Sequence, residues 1–272
     1  MKPRVHLNIM ELRLNAKLAL ITGSTAGIGY AIAESLLQEG ARVIVNGRTQ
    51  SRVDEAVAKL GKTAPGGVLG LAADMGTAEG ASLTTQRYPD VDRLINNLGI
   101  FEPKAFEDIT DGDWLRFFEV NVMSGVRLSR HYLPRMKAMG WGRIIFLSSE
   151  SAVQIPSEMI HYGMTKTAQL AISRGLAETT AGTDVTVNAI LPGPTASEGV
   201  SAFVESLAVG QGIDRQSVEN EFFRSMRPSS LLRRFATPEE VAALVTFVAS
   251  PLSSATNGAA LRVDGGVVRS IV

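Results

Sequence analysis

A chain of 272 residues with 27 basic and 27 acidic side chains has no net charge, which removes any global pull toward nucleic acid. It contains no cysteine, so disulfides, thiolate metal sites and cysteine nucleophiles are excluded together. Its three histidines, His6, His131 and His161, are too scattered for a metal site, and no apolar run approaches the roughly 18 residues of a membrane span. These features predict a cytoplasmic, metal-free protein with neither a membrane nor a nucleic acid as partner. Lys2 and Arg4 have no apolar core behind them and make a poor leader. Met10 could itself be a native start, which marks residues 1–9 as a loosely ordered extension, with regular structure expected only after residue 13.

Taken in chain order, short β-branched runs alternate with longer helical patterns. Strand Leu18–Thr22 leads to helix Ile28–Glu39, and strand Arg42–Asn46 to helix Ser51–Leu60. Strands Val68–Ala72 and Arg93–Asn96 follow, then one long helix, Asp113–Met139. Strand Arg143–Ser148 precedes helix Met159–Thr179, and strand Asp184–Ile190 precedes the stretch Pro194 to Ala236, which has no strand signal. That stretch holds helical fragments at Val200–Ala208 and Ser217–Met226. Helix Pro238–Ser250 and strand Ala260–Val263 complete the pattern. Gly40, Gly61, Gly140 and Gly182 stand where helices should stop, and Thr237-Pro238-Glu239-Glu240 reads as a helix start. The strands are apolar on both faces, as in a parallel sheet covered by helices on each side. The chain is therefore read as one α/β domain over residues 1–272, doubly wound, with seven strands. Residues 194–236 lie beyond a strand's carboxyl end, where an open sheet builds a substrate lid.

Directly after the first strand comes Thr22-Gly23-Ser24-Thr25-Ala26-Gly27-Ile28-Gly29. Glycines at this spacing let the backbone turn sharply and approach a pyrophosphate seated on the helix N-terminus. The spacing is Gly-x-x-x-Gly-x-Gly, distinct from the common Gly-x-Gly-x-x-Gly. This octet resembles the cofactor loop of the classical short-chain dehydrogenase/reductase family. The likeness runs over roughly residues 14–267 and includes Asn96-Asn97-Leu98-Gly99, where Leu98 departs from the family's alanine. The resemblance implies a Rossmann-type domain and a nicotinamide cofactor contacted by Gly23, Ser24, Thr25, Gly27, Ile28, Gly29, Asn97 and Gly99, with Asp74 at the adenine. It further implies that Pro192, Gly193 and Thr195 meet the nicotinamide carboxamide, although Pro192-Gly193 could equally be a rigid loop exit. Asp264-Gly265-Gly266 resembles the family's closing turn and is expected to be structural.

The end of the second strand bears on the choice of nicotinamide. An NAD enzyme usually places an acid there for the ribose hydroxyl. Here Gly47 and Arg48 occupy the position, and Arg52 lies one helical turn on. A guanidinium suits a 2′-phosphate, so NADP(H) is favoured and NAD(H) remains possible, unless Arg48 is only a solvated residue at a helix start.

Tyr162 and Lys166 are four residues apart on one helix face, a spacing that an ordinary contact would also give. Ser149 closes the apolar strand before them, at the sheet edge where ligands bind. The offset of Ser149 from Tyr162 matches the family's Ser…Tyr-x-x-x-Lys signature, and Asn121 matches its fourth catalytic residue, or is a plain polar helix residue. Reducing a ketone requires hydride on carbon and a proton on oxygen. A phenol with a reference pKa near ~10 can supply that proton if a nearby cation lowers its pKa. The resemblance implies Tyr162 as acid and base, Lys166 on the ribose, Ser149 on the substrate oxygen and Asn121 holding a water that links Lys166 to solvent. Glu150 and Gln154 are expected at the substrate mouth, and Met159, Phe203, Phe222 and Phe223 are either pocket wall or helix core. His161 faces away from Tyr162 and is read as packing. The resulting expectation is an oxidoreductase for a small carbonyl or alcohol. Its rivals are an epimerase or dehydratase of related type, and a nucleotide sensor that has lost turnover. The resemblance also implies a homo-oligomer, dimer or homotetramer, paired through the helices of 113–139 and 159–179.

Overall fold

In the computed structural model, residues 11–271 are described, apart from a few side chains of one helix, Phe203 among them. The extension over residues 1–9 and the role of Phe203 lie outside the described residues. Seven parallel strands form the sheet: β1 Leu18–Ile21, β2 Arg42–Gly47, β3 Val68–Ala72, β4 Arg93–Asn96, β5 Gly142–Leu147, β6 Val185–Pro192 and β7 Ala260–Val263. Their order is β3-β2-β1-β4-β5-β6-β7, so the winding reverses between β1 and β4. An open α/β sheet binds its ligand in the crevice at such a reversal, beyond the strands' carboxyl ends.

The strands are apolar on both faces because each face is roofed by helices. Beneath one face, Ile32 and Leu36 of α1 (Gly27–Gln38) pack with Val241 and Val245 of α9 (Pro238–Val248). Under the other, Leu128 and Tyr132 of α5 (Ser124–Ala138) and Leu176 of α6 (Ile160–Glu178) cover Ile144, Val187 and Leu20. Each large side chain buried this way contributes roughly 1.5–3 kcal/mol. Thr237 starts α9 with a reciprocal capping box: it accepts from the Glu240 amide at 3.3 Å and donates its own amide to the Glu240 carboxylate at 2.9 Å.

The structure differs from the sequence reading at two places. A helix, α3 (Ala78–Arg87), fills the interval between β3 and β4 where none was expected. Only Gly80, Ala81 and Thr84 of it are buried, so its apolar stripe is too thin to register as a period. The long helix of 113–139 is instead α4 (Asp111–Phe118), a π-turn at Glu119–Met123, and α5. Asn121 sits in that π-turn with its side-chain amide bound to both backbone groups of Ile100, at 2.8 and 3.0 Å. Gly61 ends α2 (Gln50–Leu60) in right-handed geometry, whereas Gly40 and Gly140 follow their helices with φ of +83° and +76°.

Between β6 and α9 the chain leaves the sheet and forms α7 (Glu198–Gln211) and α8 (Arg215–Ser225). Val204, Ala208, Val218, Phe223 and Phe235 give this excursion a small core of its own. Its two ends meet: the Ala196 amide donates to the Ala236 carbonyl at 2.8 Å, and the Ala236 amide to Pro194 at 2.9 Å. No helix among the described residues is long and apolar enough to cross a membrane.

Candidate active site

The glycine turn leaves β1 and enters α1 with Gly23 and Gly27 at φ of +61° and +57°. A side chain at Gly29 would lie 2.5 Å from Asn97 Nδ2 and 2.6 Å from the Gly23 carbonyl, so only glycine lets α1 sit this close. Ala26 offers no side-chain cap to α1, and the helix's first amides, including those of Gly27 and Ile28, remain for an anionic ligand. Ser24 is turned inward and fully buried. Its hydroxyl donates to Ile21 at 2.7 Å and accepts from the Asn46 amide at 2.9 Å, so Ser24 shapes the turn and is not open to a ligand. Asn97 braces the turn from β4, donating to Thr22 and Gly23 carbonyls at 2.9 and 3.0 Å. The Leu98 side chain covers the space beside Gly23.

At the end of β2, a side chain on Gly47 would meet Thr25 Cγ2 at 2.6 Å, which explains why no acid stands there. Arg48 is exposed and has no hydrogen-bond or ion-pair partner among the described residues. Arg52 is already engaged with Glu198 of α7, at 3.0 Å. Asp74 lies exposed after β3 and accepts from the Gly76 amide at 2.9 Å.

Ser149 lies one residue beyond Ser148, past the end of β5, and Tyr162 and Lys166 on one face of α6 line the same cavity, so the hydroxyl, phenol and ammonium share one wall. The Lys166 ammonium lies 5.6 Å from the centroid of the Tyr162 ring. It donates to the Leu147 carbonyl at 2.8 Å and to Gln169 Oε1 at 3.3 Å. Burial pushes its pKa down to about 8, because a low-dielectric site disfavours the charged form. Burial likewise pushes the Tyr162 phenol up, and the Glu150 carboxylate adds to this, while a hydrogen bond with Ser149 and the charge of Arg227 oppose it. Ser149 donates its hydroxyl proton to Glu150 and accepts from the Ser151 amide at 3.1 Å. Gly99 faces the same group: a side chain there would meet Lys166 Nζ at 3.3 Å and Asn121 Oδ1 at 3.6 Å.

A cavity of about 510 Å³ joins these pieces, running from Ile28, Gly99 and Pro192 past Ser149, Tyr162 and Lys166 to α7 and α8. Gly193 lines it, packed so tightly on the closing turn that a Cβ would sit 2.5 Å from the Asp264 carbonyl. Thr195 lines it too, its hydroxyl donating to Gly193 at 2.9 Å. Met159 and Phe222 form wall, whereas Phe223 belongs to the small core of the excursion. Glu150 is in the cavity, but Gln154 is exposed and reaches toward Ser229 instead. His161 is fully buried, its ring centroid 4.0 Å from that of Phe117, and burial lowers its pKa. No group of three or more His, Asp or Glu side chains among the described residues could hold a metal.

Sequence reasoning missed four contributors. Asn46 accepts from the Gly23 amide at 3.0 Å and donates to Leu71 and Ala73, tying the turn to β2 and β3. A lone amide ending the run Val43-Ile44-Val45 was a readable signal. Thr22 Oγ1 accepts from the amides of both Asn97 and Leu98. Gln169 shares the Lys166 face of α6, which its spacing could have revealed. Arg227 reaches from behind α8 to Glu150 at 3.1 Å and to Glu158 at 3.1 Å, and nothing in its local sequence announces this.

An uncapped helix N-terminus at a sheet's winding reversal, joined by one cavity to a phenol, an ammonium and a strand-end hydroxyl, fits a dinucleotide and a small substrate together. This is the arrangement of a nicotinamide-dependent oxidoreductase. Comparison with known proteins agrees. A family described as enoyl-(acyl carrier protein) reductase matches residues 23–268. The chain is 53% identical to the oxidoreductase YvaG of Bacillus subtilis, over 96% of this chain and 100% of that one. It is 34% identical to D-beta-hydroxybutyrate dehydrogenase of Cupriavidus necator, over 94% and 99%. Among solved structures, L-sorbose reductase from Gluconobacter frateurii, complexed with NADPH and L-sorbose, superposes with a TM-score of 0.91 at 32% identity, over 96% and 100%. The chain belongs to the short-chain dehydrogenase/reductase family and is an NAD(P)-dependent oxidoreductase acting between carbonyl and alcohol.

Proposed function

We propose that Tyr162 is the proton-transfer group of this oxidoreductase, with Ser149, Lys166 and Asn121 in support and NADP(H) as the preferred cofactor. The observation that carries this is the convergence of Ser149, Tyr162 and Lys166 on the cavity that also opens onto the first turn of α1. When bound, the nicotinamide supplies the hydride in reduction and accepts it in oxidation. Tyr162 gives its phenolic proton to the carbonyl oxygen in reduction and takes one back from the alcohol in oxidation. Lys166 keeps one N–H beyond its bonds to Leu147 and Gln169, which suits the ribose hydroxyls. It also favours the phenolate through its charge. Ser149 must turn its proton from Glu150 to the substrate oxygen, where it offsets developing charge. Gly23, Thr25, Gly27, Ile28, Gly29, Asn97 and Gly99 bound the space for the pyrophosphate and nicotinamide, and Pro192, Gly193 and Thr195 flank the carboxamide. Residues 194–236 act as the substrate lid.

Exposed Arg48 and the side-chain-free position of Gly47 support NADP(H), as does the NADPH held by the L-sorbose reductase. Arg48→Ala is expected to raise the KM for NADPH at least tenfold and leave that for NADH within twofold, since one charge-assisted phosphate contact is worth about 1.5–3 kcal/mol. Steady-state kinetics with both cofactors checks this, and equal effects on the two would overturn the preference. A panel of ketones that includes L-sorbose and acetoacetate, followed through the absorbance of NADPH, tests the function and identifies the best substrate. Exposed Leu115 and Phe118 on α4 support a homo-oligomer. Light scattering at working concentration should give a dimer or tetramer mass, and a monomer would overturn it.

A further inference from the structure

The resemblance implied that Asn121 holds a water linking Lys166 to solvent. Its backbone carbonyl is instead taken by a side chain: Gln169 Nε2 donates to it at 2.6 Å. The other end of the same amide, Oε1, accepts from the Lys166 ammonium at 3.3 Å. Gln169 is 2% exposed, Asn121 0% and Lys166 4%, so solvent does not compete for any of these bonds. The carbonyl is presented by the π-turn, and the Asn121 side chain is fixed separately by Ile100 and by Thr165 Oγ1 at 3.0 Å. Every polar atom of the Gln169 amide thus faces a partner of the right sign.

Resting on the assignment of Tyr162 and Lys166 above, we propose that Gln169 is a positioning residue whose amide bridges the Lys166 ammonium to the π-turn carbonyl of Asn121, in the place otherwise taken by a relay water. Two consequences follow from the chemistry of the group. A buried ammonium is favoured by each acceptor it keeps, and Gln169 is one of two that the described residues give it. The bridge is also closed to proton traffic. Water can accept a proton on the atom that donates one, whereas the amide accepts on oxygen and donates from nitrogen.

The ionisable groups facing the pair are few. Glu150 comes from the turn after β5, Glu158 from just before α6, Glu221 from α8 and Arg227 from behind α8. The π-turn and the Gly99 loop present only amides and carbonyls to the ammonium.

The test compares Gln169→Leu, Gln169→Ala and Gln169→Glu, with Lys166→Met alongside, using NADPH and the ketone reduced fastest in the panel above. Gln169→Leu fills the space but removes both bonds, and kcat is expected to fall about 10- to 100-fold, the cost of one lost bond to a charged group. Gln169→Ala opens room for a water and should recover to within about fivefold of the parent. A purely packing role gives the reverse order, because alanine leaves the larger cavity. Gln169→Glu places a carboxylate on the ammonium. Its oxidation pH profile should move to higher pH by about one unit or more, since the neutralised lysine no longer favours the phenolate. If leucine prevents folding, the alanine and glutamate variants carry the decision. A leucine variant at half the parental kcat or better, alanine worse than leucine, or an unmoved profile in the glutamate variant overturns the proposal. Loss of activity in Lys166→Met with no effect at Gln169 overturns this inference alone. Full activity in Lys166→Met overturns the assignment beneath it.

Discussion

Tyr162→Phe is expected to lower turnover about a thousandfold while leaving NADPH affinity within threefold of the parent. The magnitude is that of general acid–base catalysis, on the order of 10²–10⁴ in rate. The substitution removes one oxygen and keeps the ring, so the edge contact with Phe101 at 6.4 Å survives and the cavity keeps its shape. The protein's own groups push the phenol up, burial first and Glu150 second. Tyr162 is thus held as an acid, ready to donate in reduction. In oxidation its proton must leave, and Lys166 together with the positive charge of the oxidised nicotinamide must then offset burial. Turnover in the oxidation direction should therefore be steeper in pH than in reduction, rising toward alkaline pH as the phenol gives up its proton. Steady-state kinetics of the phenylalanine variant, with NADPH binding followed by fluorescence, checks the prediction. A variant retaining more than a tenth of parental turnover would remove Tyr162 from the chemistry.

Arg227→Met should have the second largest effect. Arg227 holds Glu150 from above, and Glu150 accepts at the same time from Ser149 and from the Ser151 amide at 2.9 Å. The pair is nearly enclosed, with 9% and 6% of the two side chains exposed. Removing one partner of a buried pair leaves the other charge without compensation and costs about 3–5 kcal/mol. The stranded Glu150 keeps its bonds from the Ser149 hydroxyl and the Ser151 amide, so the lower end of that range applies. Arg227→Met should lower the midpoint of thermal unfolding by roughly 6–12 °C. It should also loosen the lid, and kcat/KM should fall further than stability alone explains. Combining it with Glu150→Gln should restore at least half of the lost stability, because the stranded charge is then gone. Calorimetry on the two single variants and the double variant gives the coupling. A single Arg227→Met variant melting within 2 °C of the parent would mean that this ion pair does not tie the excursion to the turn after β5.

The sheet and the site were legible to different degrees, for physical reasons. All seven strands were readable because they are apolar on both faces, and a run such as Ile144-Ile145-Phe146-Leu147 has no other plausible place than a covered sheet. Helix α3 was not readable, because it touches the core through two small residues and a threonine. The π-turn was invisible because the apolar spacing of 113–139 continues through it. Its side chain at Asn121 is held by a non-local contact, an amide clasp with Ile100. Ser149, Tyr162 and Lys166 could be named because each stands at a position fixed by local structure, a strand end or one helix face. Arg227 could not, because its partners, Glu150 and Glu158, are about 70 residues away in sequence and meet it only in the folded chain. Ser24 shows the opposite limit. The motif named it, but the fold spends its hydroxyl inside the turn.

The meeting of Pro194, Ala196 and Ala236 at a single point gives the excursion between them an unusual independence. A segment whose two ends are clasped side by side can change length, sequence or shape without altering the spacing of the framework on either side of it. Evolution, or an engineer, can therefore exchange the excursion while the phenol and the ammonium keep their places, provided that an arginine is retained at position 227 to hold Glu150. Grafting the corresponding segment of another family member between those two anchor points should transfer preference for a new ketone as a unit, rather than through piecemeal substitution.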